Sequence, residues 1–107
     1  MSEIIDIGHD HTMEYTRWAP DRELNPQYAN VPDVEKLGVL ITHKKKDGSP
    51  CASHASFDCE VSRTIFKDRA IWQVISWEPL TLSPSILCLA EGCGDHGFIR
   101  EGKWVPA

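Results

Sequence analysis

Nine residues, Cys88-Leu-Ala-Glu-Gly-Cys-Gly-Asp-His96, gather two thiols and one imidazole at a glycine-rich bend. Thiolate and imidazole are ligands that zinc prefers, and a structural zinc site takes four of them. Gly92, Gly94 and Gly97 let the backbone fold tightly enough for Cys88, Cys93 and His96 to reach one point. The Cys-x4-Cys step is at the wide limit for such pairs, and the chain has no Cys-x2-Cys. A fourth ligand must therefore come from elsewhere. His9 and His11 are two apart, so in an extended segment both imidazoles face one side. Cys51 and His54 form another couple beside a turn. The expected metal set is Cys88, Cys93, His96 and His11, with His9, Cys51 and His54 as alternatives for the fourth place. Cys59 shares the parity of Phe57 and Val61 and reads as a core thiol. His43, beside Lys44-Lys45-Lys46, reads as solvated.

Catalytic signals are few. There is no His-Glu-x-x-His helix and no Gly-x-Ser-x-Gly elbow. Glu91 and Asp95 could serve an open zinc as a base, and Cys51 or Cys93 could pair with a histidine, but no third group is in view to orient it. No catalytic residue is expected. The leading reading is a structural zinc that supports a binding module. A zinc-dependent hydrolase and a metal-free interaction domain are the alternatives.

The elements that must position these residues are short strands. Met13–Trp18 alternates, and Leu37–His43 is apolar and β-branched. Ala55–Val61 alternates again after the Asp47-Gly48-Ser49-Pro50 turn, so these two segments read as a hairpin. Ala70–Trp77 reads as a central strand, with Trp72 and Trp77 facing opposite sides. Pro79 and Pro84 confine Leu80–Ser83 to a sheet edge or crossover. Ile86–Leu89 is a short strand, and Phe98–Arg100 with Lys103–Val105 forms a hairpin around Glu101-Gly102. Residues 1–12 read as a polar lead. Residues 19–36, with three prolines, read as a long loop with a helical turn near Asp33–Leu37. The sum is a mainly β single domain, a sheet or sandwich of short antiparallel strands with a metal-bound loop.

Composition limits the partners. The 107 residues suit one domain with a small core of its own. With 11 basic and 16 acidic side chains the net charge is −5, which disfavours nucleic acid. The Lys44-Lys45-Lys46 run beside Asp47-Gly48 is a solvated loop tip. No apolar run has signal-peptide or membrane-spanning length. The chain reads as intracellular, where four cysteines are thiols or metal ligands rather than disulfides. An exposed tryptophan on an acidic domain fits a protein partner.

The segment Trp77–Ala107 resembles a domain family of tailed phages and prophages. The resemblance is carried by Trp-Glu-Pro-Leu-Thr-Leu-Ser-Pro-Ser-Ile-Leu and by Asp95-His96-Gly-Phe-Ile-Arg-Glu-Gly-Lys-Trp. The ending Gly-Lys-Trp-Val-Pro-Ala is similar to small mycobacteriophage proteins. That family's pattern implies a metal centre with a Cys-His couple before the last hairpin. His96 matches its histidine, Asp95 stands at its cysteine, and Cys93 could take over that role. Cys51-x2-His54 could replace the upstream ligand pair. The resemblance implies a phage-encoded accessory protein in the host cytoplasm, acting on a host protein.

Overall fold

The computed structural model describes residues 3–107. Among the described residues nine strands run in chain order: β1 (Ile4–Gly8), β2 (His11–Trp18), β3 (Val34–Lys44), β4 (Pro50–Phe57), β5 (Ile71–Trp77), β6 (Leu80–Ser83), β7 (Ile86–Leu87), β8 (His96–Arg100) and β9 (Lys103–Pro106). One short helix, α1 (Glu60–Thr64), lies between β4 and β5. The mainly β expectation holds. Strands β1 to β6 form one six-stranded sheet in sequence order, and β7, β8 and β9 form a three-stranded sheet. Every pairing is antiparallel except β4 with β5, where α1 provides the crossover.

The period-two alternation of β3 shows how the core is made. Leu37, Val39 and Ile41 are buried, and so is His43, the next residue of the same parity. They join Ile7, Met13, Ala55 and Phe57 of the large sheet, Leu80 and Leu82 of β6, and Ile86, Ile99 and Trp104 of the small sheet. The two sheets thus share one core.

Several expectations need correction. The polar lead is mostly the β1–β2 hairpin, and its residues 1 and 2 lie outside the described residues. The helical turn placed at Asp33–Leu37 is the start of β3, while a single 3-10 turn forms earlier, at Pro26–Tyr28. Three salt bridges explain this: Arg22 and Arg17 both hold Asp33, and Arg17 also holds Glu35, drawing the segment out along β2. The strand expected to run to Val61 stops at Phe57, because the chain turns into α1. Cys59 is therefore a half-buried residue at the start of that helix, 3.4 Å from Ser62 Oγ, rather than a strand residue in the core.

Candidate functional site

Two constellations of reactive side chains meet at the β7–β8 hairpin. The first is buried. His43 and Cys51 are direct cross-strand partners on β3 and β4, facing the core. The bend after β7 brings Cys88 and Cys93 down onto them. Cys51 Sγ lies 3.7 Å from Cys88 Sγ, and His43 Nε2 lies 3.2 Å from Cys93 Sγ. All four ligand atoms lie within 4.8 Å of one another. Tetrahedral zinc with ordinary bond lengths separates two thiolates by about 3.8 Å and a thiolate from a nitrogen by about 3.5 Å. The observed separations fit that geometry.

The imidazole is also turned the right way. His43 Nδ1 donates to the Ile41 carbonyl at 3.2 Å, which leaves the Nε2 lone pair directed at the thiols. Burial pushes the Cys88 thiol up to about 11, whereas the Asp95 backbone N–H holds the Cys93 thiol below its ordinary value. One sulfur is thus favoured as thiolate and another resists ionising, a balance that a bound cation would tip toward thiolate at both.

Behind the tetrad, His11 stacks on His43 with ring centroids 5.4 Å apart and on Trp104 at 4.4 Å. Its Nε2 lies 2.7 Å from Asp95 Oδ2 and its Nδ1 2.6 Å from the His9 carbonyl oxygen. Both nitrogens are occupied. His11 belongs to a second group with His43 and Asp95, not to the thiol cluster. Of the expected metal set, the fold brings Cys88 and Cys93 together and leaves His11 and His96 out. Cys51 joins, His54 does not, and His43, expected in solvent, is completed by parity with Leu37, Val39 and Ile41.

The second constellation is at the surface. His96, the first residue of β8, is paired across the hairpin with Leu87. Its Nε2 lies 2.9 Å from Ser85 Oγ, and this imidazole is exposed. Ser85 directly precedes β7. Its carbonyl accepts a hydrogen bond from Trp72 Nε1 at 3.2 Å, and the His96 carbonyl accepts one from the Ala107 N–H at 3.0 Å. Both residues are therefore held through their backbones. A hydroxyl on an imidazole nitrogen at this distance is the basic unit of nucleophilic catalysis by serine. Trp72 also lines a hollow of about 430 Å³ with His54, Ser56, Arg69 and Ala70. Sequence reasoning missed Ser85. The Leu-Ser-Pro-Ser motif was visible, but its partner lies across a hairpin.

A small β fold with a surface serine–histidine pair defines a candidate serine hydrolase. Residues 29–107 match the model of the bacterial ubiquitination-like system serine protease (BubE) family, and the chain belongs to that family. The match spans both Ser85 and His96. No curated protein and no solved structure matches the chain. The family overturns the expectation of a phage-encoded zinc accessory module acting on a host protein. Among the described residues no helix is long and apolar enough to cross a membrane.

Proposed function

We propose that this protein is a serine protease in which Ser85 is the nucleophile and His96 the general base. The observation that carries the reading is the 2.9 Å contact between Ser85 Oγ and an exposed His96 Nε2, inside the region that matches the protease family. Ser85 Oγ attacks the carbonyl carbon of the scissile amide while its proton passes to His96 Nε2. The tetrahedral adduct collapses, the C–N bond breaks, and the leaving amine takes that proton from His96. Water then hydrolyses the acyl-Ser85 ester, with His96 again acting first as base and then as acid. The family's description points to amide bonds within a ubiquitin-like conjugation system as substrates.

The His43, Cys51, Cys88 and Cys93 tetrad is compatible with a metal site. Three thiolates and one imidazole select zinc over calcium or magnesium, which prefer oxygen. Four protein ligands fill a tetrahedral shell, so the ion's role is structural, and it contributes no Lewis acid to the reaction. Its test is elemental analysis: about one zinc per chain is expected.

The direct test of the protease reading is cleavage of a ubiquitin-like fusion by wild-type protein and by Ser85→Ala. Cleavage by wild type alone supports the reading. Equal cleavage by both refutes it.

A further inference from the structure

The tetrad and the serine–histidine pair share one hairpin. Ser85 immediately precedes β7 and Cys88 immediately follows it, while Cys93 comes three residues before His96. Each residue of the pair is thus three positions from a buried thiol. The strands between them are short. β7 is two residues long, and its pairing to β8 is limited to Ile86 with Gly97 and Leu87 with His96, extended by the Cys88 N–H to the Asp95 carbonyl at 2.8 Å. So little pairing is a marginal link between the two side chains, although Ser85 is also held by Trp72 and β8 by β9.

Apart from the Asp95–His11 contact, the outer part of the bend has no anchor in the core. Leu89, Ala90, Glu91 and Gly92 are all exposed, with Leu89 at 87%. Gly92 and Gly94 have φ of 77° and 70°, the left-handed region that glycine adopts without strain and that turns the bend tightly. Cys88, Cys93 and Asp95 point inward, and Asp95 meets His11 at 2.7 Å. The two groups that the cysteines meet, His43 and Cys51, belong to the large sheet.

We infer that a metal ion held by His43, Cys51, Cys88 and Cys93 clamps the β7–β8 hairpin to the large sheet and thereby sets the Ser85–His96 geometry, which makes Cys88 and Cys93 positioning residues for catalysis. The inference rests on the protease reading of Ser85 and His96. Two ligands lie on each side of the clamp, so loss of the ion frees the bend while the large sheet keeps its own pairing. A displacement near 1 Å at a nucleophile lowers rates on the order of a hundredfold.

The test leaves the serine–histidine pair untouched. Wild-type protein, the same protein after chelation, and Cys51→Ser are compared for zinc per chain, far-ultraviolet circular dichroism, and the rate at which a fluorophosphonate probe labels Ser85. Wild type should hold about one zinc. Removing it should slow labelling on the order of a hundredfold with the strand spectrum retained, and added Zn²⁺ should restore the rate. Co²⁺ in place of zinc should give thiolate-to-cobalt charge-transfer absorption in wild type that weakens in Cys51→Ser. If metal removal unfolds the chain, Cys51→His, which keeps four ligands, carries the test. Folded, zinc-loaded Cys51→His labelled near the wild-type rate supports the clamp, because the ion still joins the bend to the large sheet, and the same variant folded without zinc but labelled at that rate overturns it. Wild type labelled at Ser85 while metal-free, or at a rate that chelation does not change, overturns the clamp and leaves the protease reading standing. Zinc-loaded wild type with no label on Ser85 overturns both.

Discussion

Ser56–His54 and Ser85–His96 are both serine–histidine pairs, and they are built in opposite ways. Ser56 is 3% exposed, lies 3.4 Å from His54 Nδ1, and sits mid-sheet on β4. His54 Nε2 is already engaged by Thr16 Oγ1 at 2.8 Å. Its ring occupies the space above Gly38, where an added Cβ would stand 2.8 Å from His54 Cε1. Ser85 instead stands outside the strands, and its exposed partner touches it at 2.9 Å. The first pair completes a packed polar patch. The second leaves a hydroxyl and a base where a polypeptide can reach them. Proximity of the two residue types is thus a poor guide to chemistry; access and an uncommitted base distinguish the two pairs.

The comparison predicts a graded set of outcomes. Ser85→Ala should reduce peptide-bond cleavage by at least about a thousandfold, whereas Ser56→Ala should stay within a few-fold of wild type, measured as kcat/KM. His96→Gln should lower kcat by about a hundredfold or more with the fold unchanged, since it removes the base. His54→Gln should leave kcat near the wild-type value. A reversed pattern would move the active site to β4.

Gly97→Ala probes the support beneath His96. A Cβ there would stand 2.6 Å from the Trp104 indole, and Trp104 in turn stacks on His11. Overpacking of that kind should destabilise the fold by about 1–3 kcal/mol in chemical denaturation. Trp72→Phe removes the donor to the Ser85 carbonyl and should slow turnover by about fivefold, matching one modest hydrogen bond.

The smallest effect is in acid. Burial, aided by the Arg69 charge, holds the His54 imidazole below its ordinary value near 6.5. The unfolded chain therefore takes up this proton before the folded one does. The stabilisation from a neutral His54 is complete above about pH 6.5 and is lost as pH falls through the lowered folded value. Melting temperature should fall from pH 7.5 to pH 5.5, and His54→Gln should blunt that fall.

The strand alternation was legible in the sequence because period two is a local property. Leu37, Val39 and Ile41 marked the inner face of β3 directly. The same parity reaches His43, but the neighbouring lysine run suggested solvent, and only the register with β4 shows Cys51 opposite it. Cys88 and Cys93 were legible as a bend of metal-type ligands. His96 was legible as a possible ligand, whereas its contact with Ser85, eleven positions earlier, arises only through hairpin pairing. The Leu-Ser-Pro-Ser stretch stood out as a proline-confined edge and as part of a family resemblance, but a lone serine carries no mark of activation until a base is placed beside it. The long loop was legible as proline-rich, but the Arg22–Asp33 and Arg17–Asp33 bridges that fasten its far end depend on contacts that spacing does not encode.

The most direct measurement of the central claim is peptide mapping by mass spectrometry after reaction with diisopropyl fluorophosphate. The expected result is a single diisopropylphosphorylated serine, Ser85, with the adduct lost in His96→Gln. An adduct on Ser56, or an unmodified Ser85 in folded protein, would contradict it.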